Sequence, residues 1–160
     1  MTNQDFNSDM IKKILSLSKT IAMVGVSSVK PEISTNLKRK PSIIVMKYLQ
    51  EFGYKIIPVN PNSAGKKINE ETAVEKLTDI NKPVDIVNVF RPSNFTPAIA
   101  EDAVKIGAKV LWLQYGIHNE EAKKISNDAG MTYIENKCIK QEYQKLLLKI
   151  SPVFPVLQRT

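Results

Sequence analysis

Apolar positions along this chain fall into two rhythms that alternate. Residues 9–18 carry Met10, Ile11, Ile14, Leu15 and Leu17 at helical spacing, with Ser8 placed as a cap. Residues 20–26 are a nearly continuous apolar run and read as a first strand. A polar loop over residues 27–40 follows. Pro41 then suits the first turn of a helix, where its missing N–H is not needed. That helix carries Ile44, Val45, Tyr48, Leu49 and Phe52, and Gly53 stops it. Residues 55–59 read as strand two, and a short helix is expected near residues 73–79. Strand three covers 84–90, strand four 109–113 and strand five 132–134. Helices fill 97–106, the stretch from Asn119 to Gly130, and 141–149. The tail, with Pro152 and Pro155, reads as extended or loosely docked.

Strands two and three are nearly continuous apolar runs, which is the pattern of strands covered on both faces. Alternation with helices then implies a parallel sheet with right-handed crossovers. The expected fold is α/β: a Rossmann-like three-layer sandwich whose five parallel strands run in the order 3-2-1-4-5. The chain reverses direction beside strand one, and ligands bind at such a switch point, at the carboxyl ends of the strands.

Composition narrows the class. At 160 residues the chain reads as one domain, with a core over about 8–149 and a tail over 150–160. Hydrophobic content of 42% with 24% charged residues suits a soluble globular protein. No apolar run approaches the roughly 20 residues needed to cross a bilayer. Cys138 is the single cysteine, so no internal disulfide and no metal cluster is expected. These features place the protein in the cytoplasm. The net charge is +7, with Lys30, Lys38, Arg39 and Lys40 clustered after the first strand. A basic loop there would receive a polyanionic ligand or simply be solvated. No nucleic-acid-binding motif accompanies the charge.

The strand ends carry the chemistry. Strand one ends in Gly25, Ser27 and Ser28, small groups that let backbone N–H groups approach a phosphate. Strand two ends in Asn60 and Pro61, strand three in Phe90, Arg91 and Pro92, and strand four in Gln114, Tyr115 and Gly116. Strand five leads to Asn136, Lys137 and Cys138. Candidate acids and bases are few, which suits a surface that holds a nucleotide. An NAD site usually carries an acidic residue after strand two, where Asn60 stands. No Gly-Lys-Ser/Thr follows Gly25, so a Walker-type phosphate loop is absent. Trp112 reads as core and His118 as a loop residue ahead of a helix.

Several segments in order resemble the CoA-binding domain family, related to the nucleotide-binding domain of the succinyl-CoA synthetase α subunit. They are Val24-Gly25-Val26-Ser27, Lys40-Pro41-Ser42, Ile57-Pro58-Val59-Asn60-Pro61, Val89-Phe90-Arg91-Pro92, Trp112-Leu113-Gln114-Tyr115-Gly116 and Asn136-Lys137-Cys138. The resemblance covers about residues 8–145. It implies a fold that binds coenzyme A or an acyl-CoA, as a non-catalytic carrier, sensor or regulatory module. Carried over residue by residue, Gly25, Ser27 and Ser28 meet the phosphates, and Lys40, Pro41 and Ser42 open a helix toward them. Asn60 and Pro61 border the adenosine, Phe90, Arg91 and Pro92 flank the cofactor, and Gln114 and Gly116 approach it. Cys138 is either a partly buried residue of the last loop or a sulfur close to the CoA thiol. Two other classes stay open: a CoA-dependent transferase or ligase component completed by a protein partner, and an NAD(P)-binding redox sensor. A homo-oligomer is compatible with each.

Overall fold

The computed structural model describes residues 3–26 and 41–150. Five strands, β1 (Thr20–Val24), β2 (Lys55–Val59), β5 (Ile86–Val89), β6 (Val110–Leu113) and β7 (Thr132–Ile134), form one parallel sheet. Helices α1 (Asn3–Leu17), α2 (Pro41–Glu51) and α5 (Ile139–Leu146) cover one face, and α3 (Thr96–Lys105) and α4 (Glu120–Asp128) the other. A small antiparallel pair, β3 (Lys67–Ile68) and β4 (Glu71–Thr72), lies in the connection after β2.

Period-two alternation sorts the strand residues between two cores. Ile21, Met23, Ile56, Ile86 and Trp112 pack with Leu15, Met46 and Ile139 on the α1–α2–α5 side. Ala22, Val24, Val87, Val89 and Leu111 pack with Ala100, Ala103 and Ala122 on the other. Small alanines on α3 and α4 let those helices approach the sheet closely. The expected three-layer α/β class is thus the one observed.

The strand order is a correction. In the numbering of the five sheet strands along the chain it is 2-1-3-4-5, not 3-2-1-4-5. Pro58 gives the physical reason: proline lacks an N–H for the ladder and is confined to edge strands, so β2 is poorly suited to an interior place. The outer edge of β2 is instead covered by the connecting segment, where Val74 N–H donates to the Pro58 carbonyl and Asn60 N–H donates to the Val74 carbonyl. The reversal still lies beside strand one, now between β1 and β5.

Element ends differ in smaller ways. Residues 73–79 form no helix beyond a short 3-10 turn at Leu77–Asp79, because Val74 is drawn into the sheet edge. Ser8 lies inside α1, which begins at Asn3, and so caps nothing. The last helix ends at Leu146.

Asp85 fastens β5 to β1 at the end of the sheet away from the site. Its Oδ2 accepts from the backbone N–H groups of Lys19 at 2.8 Å and Thr20 at 3.0 Å. Burial alone would raise its pKa, but those two bonds and the nearby Lys109 ammonium outweigh it and hold the carboxyl below its ordinary value. A depressed folded-state pKa contributes stability that is present above the unfolded value, about 3.9, and is lost as pH falls through the folded value. Asp85→Ala is therefore expected to cost about 1.5–3 kcal/mol at pH 7. Urea midpoints should show that the gap to wild type narrows below pH 4; an unchanged gap would show that the carboxylate charge is not what holds β5 to β1.

Candidate functional site

The chain turns at Gly25 with φ +98°. Gly25 N–H donates to the Val59 carbonyl, and Phe90 N–H donates to the Val24 carbonyl, so the ends of β1, β2 and β5 are laced together here. A Cβ on Gly25 would stand 3.2 Å from the Phe90 carbonyl carbon and oxygen and 3.3 Å from Arg91 Cδ. Only glycine accepts both the backbone angle and this approach. The switch point thus depends on a residue without a side chain.

Beside it lies a cleft of about 560 Å³, on the α3 side of the sheet. Gly25, Asn60, Pro61 and Arg91, all named from the sequence, line it together. The Arg91 guanidinium sits 4.2 Å from the centre of the exposed Phe95 ring, a cation–π contact that holds the charge at the mouth. Pro61, Leu77, Phe95 and Ile99 give the cleft an apolar wall, while Lys76 adds a second cation and Glu75 and Asp102 add carboxylates. Flat apolar surface beside a guanidinium suits a base joined to a phosphorylated sugar.

Asn60 acts at least partly within the protein. Its Nδ2 donates to the Val26 carbonyl at 2.8 Å, and its Oδ1 accepts from Asn62 N–H at 2.9 Å. It therefore ties the start of the first loop to the turn after β2.

The other expected residues are distributed differently. Ser27, Ser28 and Lys40 lie outside the described residues, as does the basic cluster of Lys30, Lys38 and Arg39. Pro41 opens α2 exposed, and Ser42 beside it is buried. Phe90 faces the α1–α2–α5 core, because alternation sends consecutive side chains to opposite faces and gives the cleft to Arg91. Pro92 is exposed and leads into a single 3-10 turn. Gln114 is buried, and its Nε2 donates to Asn88 Oδ1. Gly116 N–H donates to Asn136 Oδ1, joining the loops after β6 and β7. Cys138 stands at the N-cap position of α5, partly buried against the core. Trp112 is fully buried, and its Nε1 donates to the Lys137 carbonyl at 2.8 Å. His118 is exposed ahead of α4, where Asn119 caps the helix through Ala122 N–H.

Phe95, Lys76 and Asn88 were not singled out from the sequence. Asn88 had a signal, a polar residue inside the run Ile86-Val87-Asn88-Val89. Phe95 and Lys76 had none, since each reaches the cleft from a loop whose path depends on the whole sheet.

Residues 19–144 match the family described as CoA binding domain. The chain is 43% identical over 133 residues to the uncharacterized protein YneT of Bacillus subtilis (strain 168), covering 81% of this chain and 89% of that one. It superposes on a hypothetical protein from Pyrococcus horikoshii OT3 with a TM-score of 0.78 at 36% identity, covering 88% of this chain and 92% of that one. A cell-free product from Thermus thermophilus gives the same TM-score of 0.78 at 33% identity, over 88% and 98% of the two chains.

Proposed function

We propose that this chain, which belongs to the CoA-binding domain family, binds coenzyme A or an acyl-CoA across the carboxyl ends of its sheet. Its role is that of a carrier, sensor or regulatory module. The observation that carries the reading is the cleft at the reversal beside β1, where Gly25, Asn60, Pro61 and Arg91 meet an apolar wall. The base and ribose would occupy that wall, with Arg91 on a ribose phosphate. The diphosphate would cross the Gly25 turn toward the amino end of α2, where N–H groups and the helix dipole favour negative charge. Ser27, Ser28 and Lys40 are proposed for the same phosphates from the first loop.

No described helix is long and apolar enough to cross a membrane. We take the working site of the protein to be the cytoplasm, as one binding unit with a small-molecule ligand.

A second reading has its own support. Asn60 removes the acidic residue that a ribose 2′-hydroxyl would meet, and Arg91 would accept a 2′-phosphate, so NADP is the competing ligand.

Thermal unfolding against CoA, acetyl-CoA, NAD and NADP separates the two. A ligand at a hundred times its dissociation constant adds about 2.7 kcal/mol. For a chain of this size that is roughly 5–10 °C. We expect the rise with CoA and acetyl-CoA only, and about a tenfold weaker CoA affinity in Arg91→Ala, in which a charge-assisted contact is lost. A rise with NADP alone would transfer the site to a redox role. No rise with the CoA species would end the CoA reading. Acetyl-CoA recovered intact from the same samples would support a carrier, and its breakdown an enzyme.

A further inference from the structure

Asn88 sits in the middle of β5 with no exposed surface. Its Oδ1 accepts from Gln114 Nε2, but among the described residues its Nδ2 donates to nothing. Buried amide donors nearly always have a partner, so one left open asks for an explanation.

Its position suggests one. Asn88 shares a strand face with Ile86 and Phe90 and stands in register between Met23 and Trp112. That places it on the α1–α2–α5 side, across the sheet from the Arg91 cleft. Gln114 follows Trp112 by two residues on the same face of the neighbouring strand. Helices α2 and α5 both begin at this carboxyl end of the sheet, with Ser42 buried at the start of α2. Phe90, the next residue along the face, is only partly buried and stands between Asn88 and the switch point.

A neutral donor set among apolar side chains does not suit a phosphate, whose charge needs a cation or several N–H groups. It suits a neutral carbonyl oxygen. We propose that Asn88 Nδ2 donates to a carbonyl of the amide-bearing arm of coenzyme A, while Gln114 holds the Asn88 amide in orientation. This rests on the CoA reading above. The adenosine end then occupies the Arg91 side, the diphosphate crosses the Gly25 turn, and the arm reaches the covered Asn88 amide on the opposite side by displacing the partly buried Phe90. Asn88 is then the residue that separates CoA from nucleotides carrying the same phosphates without the arm.

The experiment compares CoA with adenosine 3′,5′-bisphosphate, which lacks the arm, by calorimetry. Asn88→Asp keeps an oxygen for Gln114 but removes the donor and repels a carbonyl. It should weaken CoA about tenfold or more and leave the bisphosphate unchanged. Equal weakening of both, or of neither, overturns the proposal. Because a buried carboxylate endangers folding, wild-type NMR provides the second measurement. The Asn88 side-chain amide signal should shift with CoA and stay in place with the bisphosphate. If CoA binds without moving that signal, this inference falls and the CoA reading stands. If wild type does not bind CoA at all, both fall.

Discussion

Gly25→Ala is expected to destabilise the chain by about 1–3 kcal/mol from backbone conformation alone. For a domain of this length that is a fall in Tm of roughly 3–10 °C. The cost should exceed this, because the new Cβ meets Phe90 backbone at 3.2 Å and backbone yields less readily than a side-chain tip. Gly53→Ala is the control. It has nearly the same φ, +94°, but nothing within 4 Å of its Cβ position. The difference between the two variants, read by urea unfolding, isolates the crowding at the switch point. Gly25→Ala should also weaken CoA binding, since relief of the contact displaces Phe90 and Arg91 together. Equal costs for the two variants, with CoA affinity retained, would mean that the close approach constrains nothing.

Trp112→Ala should have the largest effect on stability, about 3–5 kcal/mol, because a fully buried indole leaves a cavity that the sheet cannot close. Trp112→Phe should cost far less, about 1 kcal/mol beyond the smaller volume, for the lost hydrogen bond to the Lys137 carbonyl. That bond fastens the loop after β7 to the sheet. Its loss should therefore open Cys138, now partly buried, to a thiol-reactive disulfide reagent. A reaction in Trp112→Phe faster than its loss of global stability accounts for would show that the indole N–H holds the loop. An unchanged rate would assign that role to Asn136 and its bond from Gly116.

Much of the fold was legible because burial is written locally. Residues 132–134 and the start of the helix at Pro41 appear where the pattern puts them, each depending on a few neighbours in sequence. The observed strand order differs from the expected one although Pro58 stands in strand two. Its missing N–H marks an edge, and that signal bears on pairing rather than on strand existence. The short helix expected near residues 73–79 is not what the segment around Val74 forms. Hydrogen bonds with Pro58 and Asn60 from outside its own sequence drew it straight. Of the candidate residues read from the sequence, Gly25, Asn60, Pro61 and Arg91 share one cleft. The candidates Phe90 and Gln114 instead face or lie beneath the other side of the sheet.

The sequence by itself determined five buried strands, the helices between them, a glycine turn after the first, and neutral or basic groups at their carboxyl ends. These follow from period, from proline and glycine, and from side-chain chemistry, all of which act over a few residues. Only the tertiary structure decided that β2 is an edge, that Arg91 meets Phe95 and Lys76 in one cleft, and that Asn88 is left with an open donor. Each of these depends on which strands pair and which face a side chain joins. Pairing is settled by hydrogen bonds and packing between segments far apart in the chain, as Asp85 on Lys19 and Thr20 illustrates.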